Sequence, residues 1–125
     1  MANPNIVNVT TIYGNSSQTA LSTTSATSLV SNAAASGKVF KINSIVAANV
    51  DGTSAADITI SIYSAAALGG TAYPIASTIS VPADATLIIT DKKTSFYLLE
   101  NQSIGATAGS ASDLVVTASW EEINS

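Results

Sequence analysis

The chain has no cysteine, no histidine and no arginine, and its 125 residues include only four lysines, Lys38, Lys41, Lys92 and Lys93. Each absence removes a class of chemistry. Without cysteine there is neither a disulfide nor a thiolate metal site, so stability must come from apolar burial and ladder hydrogen bonds. Without histidine a serine or threonine nucleophile has only lysine or a carboxylate to take its proton. With a net charge of −4 and no basic stripe, the chain cannot neutralise a run of phosphates. That excludes nucleic acid as a partner, and the same poverty of cations argues against an anionic membrane surface. No apolar run approaches the roughly 20 residues of a spanning helix. Residues 1–10 lack the basic start, apolar stretch and cleavage site of a signal peptide, so synthesis in the cytoplasm without export is expected.

Charge of either sign is scarce. Charged residues make up 10% of the chain, against about a quarter in ordinary soluble domains, so Ser, Thr, Asn and Ala must cover the exposed faces. Such a surface adheres by shape and hydrogen bonding, and salt weakens it little.

What is present is alternation. Ile6–Tyr13 reads as a first strand closed by Gly14-Asn15-Ser16-Ser17, and Ala26–Ser31 as a weakly specified second one within a Ser/Thr/Ala-rich stretch. Along Lys38–Val50, the residues Phe40, Ile42, Val46, Ala48 and Val50 fall on one face, with Lys41, Asn43 and Asn49 on the other. Asp51-Gly52 then signals a hairpin into Asp57–Tyr63, whose Ile58, Ile60 and Ile62 face inward. Ser64–Leu68 is expected to form one helical turn before Gly69-Gly70. Further alternating segments cover residues 75–81, 86–90, 94–99, 104–107 and 114–120, separated by turn formers. The expectation is an all-β protein. It is a single antiparallel β-sandwich of about eight strands, jelly-roll or immunoglobulin-like, with no repeat and no linker. Residues 1–36 are read as an N-terminal strand and polar segment able to act as an assembly arm, and residues 37–125 as the sandwich body.

Candidate chemistry is thin. Thr90-Asp91-Lys92-Lys93 and Ser36-Gly37-Lys38 set a hydroxyl near a lysine, but in turn contexts where a solvated lysine is the default. Glu121 and Glu122 point to opposite faces of a strand, unlike a glycosidase pair, and Asp51 and Asp57 flank a turn. Calcium is the one metal the donor set suits, at Asn49–Asp57, although that loop lacks calcium-hand spacing and an ordinary turn explains it better. No metal or cofactor is therefore assigned. Trp120 shares a face with Leu114 and Val116 and reads as core or core rim. Tyr63 and Tyr97 are better placed for exposure, where tyrosine favours protein contacts over sugar stacking. With Ile6, Val7, Val9, Ile12 and Tyr13 of the N-terminal strand, they form the set of candidate subunit-contact residues. The sequons at Asn8, Asn15 and Asn101 are what a Ser/Thr-rich composition gives by chance.

Four segments carry a resemblance: Lys38–Thr53 (KVFKINSIVAANVDGT), Ser80–Leu87 (SVPADATL), Leu98–Ile104 (LLENQSI) and Ala118–Ile123 (ASWEEI). Together they resemble small virion structural proteins of marine tailed phages, cyanophages in particular, over most of the chain from Lys38 onward. The resemblance implies a non-enzymatic β-sandwich on the particle surface. It implies contacts with the major capsid protein or other virion proteins and carries over no catalytic residue. The expected role is capsid decoration or cementing by a homo-oligomer, with a trimer suggested by the local threefold positions of a shell. A tail or fibre module recognising a host glycan or receptor is the alternative.

Overall fold

The computed structural model describes residues 4–124, so residues 1–3 of the N-terminal segment and Ser125 lie outside the account that follows. Nine strands follow one another as β1 (Thr11–Ala20), β2 (Thr27–Asn32), β3 (Lys38–Asn49), β4 (Ala56–Ala65), β5 (Gly69–Val81), β6 (Thr86–Thr90), β7 (Phe96–Leu98), β8 (Gln102–Ala108) and β9 (Leu114–Asn124). One 3-10 turn, Lys92–Thr94, interrupts them between β6 and β7. The all-β sandwich expected from the alternation is the observed architecture.

One sheet has the order β1-β9-β3-β6, with β7 also on β3, and the other has the order β2-β8-β4-β5. Every pairing is antiparallel. Strands β6 and β7 both lie on β3, opposite Ile45–Ala48 and Phe40–Ile42 respectively, so they are two pieces of one interrupted strand. Counted that way, the first strand pairs with the last, the second with the second from last, the third with the third from last, and the middle two with each other. This is one long hairpin rolled over itself, which is the jelly-roll path and not the immunoglobulin one.

Two sheets facing each other bury their inner side chains as a common layer. Leu21, Ile42, Ile45, Ile58, Ile60, Leu98, Ile104, Leu114, Val81 and Val116 are its fully buried large members. Strand β4 follows the expected alternation, with Ile58 and Ile60 inside and Asp57 exposed, although Ile62 is only half-buried.

Strand β3 departs from the expected pattern, for a local reason. Ile42 lies opposite Trp120 and Ser44 opposite Ser119, so Asn43 is an extra residue without a partner on β9. A bulge of this kind reverses the inward parity of everything beyond it. Phe40 and Ile42 face the core as expected, but after the bulge Ile45, Ala47 and Asn49 point inward, and Val50 is 59% exposed.

Asn49, expected on the outer face, is thus buried, and its side chain knits one end of the sandwich together. Its Nδ2 donates to Ser54 O and Val81 O, each at 2.9 Å, and its Oδ1 accepts from Asp51 N at 2.9 Å.

Two expected local features are corrected. Asp51-Gly52 does not close a β3–β4 hairpin, because β3 and β4 belong to different sheets and this loop crosses between them. Gly52 takes no positive φ there; the loop is instead held by the Asn49 amide and by Asp51, whose Oδ1 accepts from Thr53 N and Oγ1. Ser64–Leu68 forms no helix. It is the end of β4 and the tip of the one long hairpin, with Ala67 and Leu68 both at positive φ and Gly69 N donating to Ala66 O. The first strand also differs, starting at Thr11 instead of Ile6 and running through the expected turn at Gly14–Ser17 to Ala20.

Replacing Asn49 with alanine leaves Val81 O and its other partners unpaired in or near the core. The expected loss is about 2–3 kcal/mol of unfolding free energy, read by urea denaturation. A loss under roughly 1 kcal/mol would refute the bridging role.

Candidate assembly surfaces

Strand ends collect at two ends of the sandwich, and the loops at those ends differ in charge. At one end lie the 21–26, 50–55, 82–85 and 109–113 loops, tied together by Asp84 N to Asp51 O, Val50 N to Asp113 O, Ser112 N to Leu21 O and Gly109 N to Asp57 O. Asp51, Asp57, Asp84 and Asp113 all sit at this end, with no lysine. The other four carboxylates and all four lysines lie elsewhere and balance, so this aspartate end accounts for the whole net charge of −4. Hydrogen bonds from the Thr53 backbone and hydroxyl hold Asp51 below the ordinary carboxylate range.

The opposite end holds the N-terminal segment and the 33–37 and 99–101 loops. Here residues 4–10 lead into β1, with the N–H and hydroxyl of Thr10 both donating to Asn124 O. Pro4 is buried, and Pro4 and Ile6 line a shallow apolar groove with Val39, Tyr97 and Leu99. The structure therefore brings together two of the candidate contact residues, Ile6 and Tyr97, which lie far apart in sequence. Val7 is 91% exposed and Val9 half-buried, while Ile12 and Tyr13 stand exposed at the start of β1.

Tyr63 is not part of that group. It sits half-buried on the other sheet, where a Cβ added at Gly105 would lie 2.9 Å from its ring and 2.7 Å from Leu68. Gly105 thus leaves room for Tyr63 and for the hairpin tip, which folds back over β8. That tip is held by Asn101 Oδ1 on Ala66 N, Ser31 Oγ on Ala67 N and Ser103 Oγ on Leu68 N. Sequence reasoning did not single out Tyr73, Ile75 and Ile79, which are exposed along β5. Only the edge position of β5, a long-range property, identifies them.

The hydroxyls weighed as nucleophiles are engaged structurally. Thr90 Oγ1 donates to Thr94 O at 2.8 Å, and Asp91 caps the 3-10 turn by accepting from Lys93 N. Ser36 Oγ donates to Asn32 Oδ1 at 2.6 Å and accepts from Lys38 N. Glu122 meets Lys38 at 3.4 Å and also accepts from the Asn15 amide, while Glu121 accepts from Asn43. Trp120 lies at the rim of the core, stacked on Phe40 with ring centroids 6.4 Å apart.

No protein-family model matches the chain, and no curated protein matches it in sequence. The fold has solved counterparts. The chain is similar to a protein of the disulfide-linked pili of Bacillus endospore appendages, with 17% identity and a TM-score of 0.54 over 92% of this chain and 90% of the other. It is equally similar in shape to a protein of the acid-stable capsid of Helicobacter pylori bacteriophage KHP30, with 10% identity and a TM-score of 0.54 over 93% and 90%. At these identities the likeness is one of fold. Having no cysteine, this chain cannot form the disulfide links of the pili.

Two substitutions test this description. Gly105→Val is expected to displace Tyr63 and the hairpin tip at a cost of about 1–3 kcal/mol, seen in the denaturation midpoint and in the near-ultraviolet tyrosine signal. An unchanged signal would place Tyr63 elsewhere. Because its folded pKa is lowered, Asp51 stabilises the fold above its ordinary carboxylate pKa, and that contribution is lost as pH falls through the lowered value. Thr53→Ala should therefore shift the Asp51 titration upward in a carbon-detected NMR series, and an unmoved titration would contradict the assigned cause.

Proposed function

We propose that this chain is a non-enzymatic structural protein of a phage particle, and that it decorates or cements the shell by binding the major capsid protein. The observation that carries the reading is the likeness of fold to a protein of a phage capsid over 93% of this chain, beside the chain's own jelly-roll path. Fold alone does not fix function, so the surface has to agree with it. It does: the charge-poor faces suit close hydrogen-bonded contacts that salt does not weaken, and apolar side chains stand exposed on the N-terminal segment. A small module bound in many copies to the assembled shell alone shifts the assembly equilibrium toward the shell by mass action.

The N-terminal segment is the proposed point of attachment. Residues 4–10 precede the first paired strand and leave Val7 in solvent; Thr10, which donates twice to Asn124 O, anchors their end, while Pro4 and Ile6 line a groove that the segment can leave for a neighbouring subunit. Ile6, Val7, Val9, Ile12 and Tyr13 would make the contact, with Tyr97, already exposed beside the segment, added to it.

Removing residues 1–10 leaves β1 intact and should leave the melting temperature within a few degrees of the full chain. Binding to particles lacking the protein should fall at least tenfold in a sedimentation assay. Undiminished binding would dismiss the attachment role. A reconstruction of the complete particle with the protein on the tail, or glycan-array binding lost in Tyr97→Ala, would replace shell decoration with host recognition.

A further inference from the structure

We infer that the free edge of β1 is a self-association site, and that two copies of this chain pair there antiparallel about Ser16 to continue one sheet across a twofold axis. The inference goes beyond the virion reading and stands without it.

A sandwich of this kind has four sheet edges, and three of them are blunted against strand addition. Along β5 the pairing with β4 shifts register three times, Thr78 adopts a positive φ, and Pro74 removes a donor. The β6/β7 edge is broken in two by the 3-10 turn that carries Lys92 and Lys93. Strand β2 is six residues long with a bulge between Ser28 and Val30. Strand β1 has none of these devices. It runs ten residues in unbroken register with β9 and contains no proline and no ionisable side chain except Tyr13.

The pairing fixes which groups face outward. Leu21 N donates to Leu114 O, one step beyond the Ala20–Val115 pair, so the odd-numbered residues of β1 bond to β9. The N–H and C=O groups of Ile12, Gly14, Ser16, Gln18 and Ala20 therefore point away from the sheet. The side chains of Ile12, Ser16, Gln18 and Ala20 are exposed as well.

Two features select a second, antiparallel copy as the occupant. Pairing about Ser16 sets Ile12 against Ala20 and Gly14 against Gln18, so every outward donor meets an acceptor. A Cβ at Gly14 would meet nothing within 4 Å in its own copy, so the space beside it is open. Across the pair it gives the Gln18 side chain room. The charge distribution gives the direction. Antiparallel pairing sets the aspartate end of each copy beside the lysine-bearing half of the other, whereas parallel pairing would put two aspartate ends side by side. The resulting contact is isologous, so the expected oligomer is a dimer and not the trimer that shell symmetry suggested.

Sedimentation of the full chain over a concentration series reaching the submillimolar range tests this, with circular dichroism as the check on folding. Wild type should dimerise. Ser16→Lys and Ser16→Glu, each placing like charges directly opposite across the axis, should associate at least tenfold more weakly, and an equimolar mixture of the two should recover the dimer. Ser16→Pro, which removes an outward N–H and no bond to β9, should be folded and monomeric. A monomeric wild type would overturn the inference, as would a dimer that persists in Ser16→Lys. So would a dimer lost only on removing residues 1–9, which would assign the contact to the N-terminal segment. Particle binding is measured separately, so failure here and failure of the shell role are distinguishable.

Discussion

The fold depends on the last strand lying between the first and the third. Strand β9 pairs with β1 along one side and with β3 along the other, and its Leu114, Val116 and Ala118 enter the shared core. Closing those two ladders fixes the rolled hairpin, because each remaining pair is nested inside the one before it. The Asn43 bulge is what lets β3 serve both neighbours. Without the parity reversal, Ile45 and Ala47 would face solvent and Val46 and Ala48 the core, and the inward positions of β3 would no longer match those of β9.

That arrangement separates the surface into regions with different physical characters. Four aspartates gather at one end, where loops cross between the sheets and are held by the Asn49 amide. Apolar side chains of the N-terminal segment gather at the other. Between them run the sheet edges, of which β1 alone is long, regular and uncharged.

Much of this could be read from the sequence and some could not. Alternation in Asp57–Tyr63 correctly gave the inward isoleucines because β4 has no bulge on its β8 side. Alternation along Lys38–Val50 was correct only as far as Ile42, since an extra residue in a ladder leaves no mark in a single sequence. Asp51-Gly52 has the composition of a hairpin turn, yet what it does depends on where β4 finds its partner, and β8 lies more than forty residues away. Ser64–Leu68 looked helical because alanine and leucine favour helices. The chain bends there through two positive φ values that only the tertiary bonds from Ser31, Asn101 and Ser103 hold in place. The same holds for two of the candidate contact residues: Ile6 and Tyr97 line one groove, but nothing local to either announces it.

The pairing of first with last also bears on how the protein is made. Thr11 finds Asn124 as its partner, so during translation at about 5–20 residues per second the opening strand waits on the order of ten seconds for the residues that will cover it. Both of its edges are bare through that interval. A strand rich in isoleucine or valine would then be a hazard among crowded polysomes, each carrying the same unfinished segment. Thr11–Ala20 is instead mostly threonine, serine, asparagine, glutamine and glycine, a composition tolerable in a nascent chain and sufficient once β9 arrives.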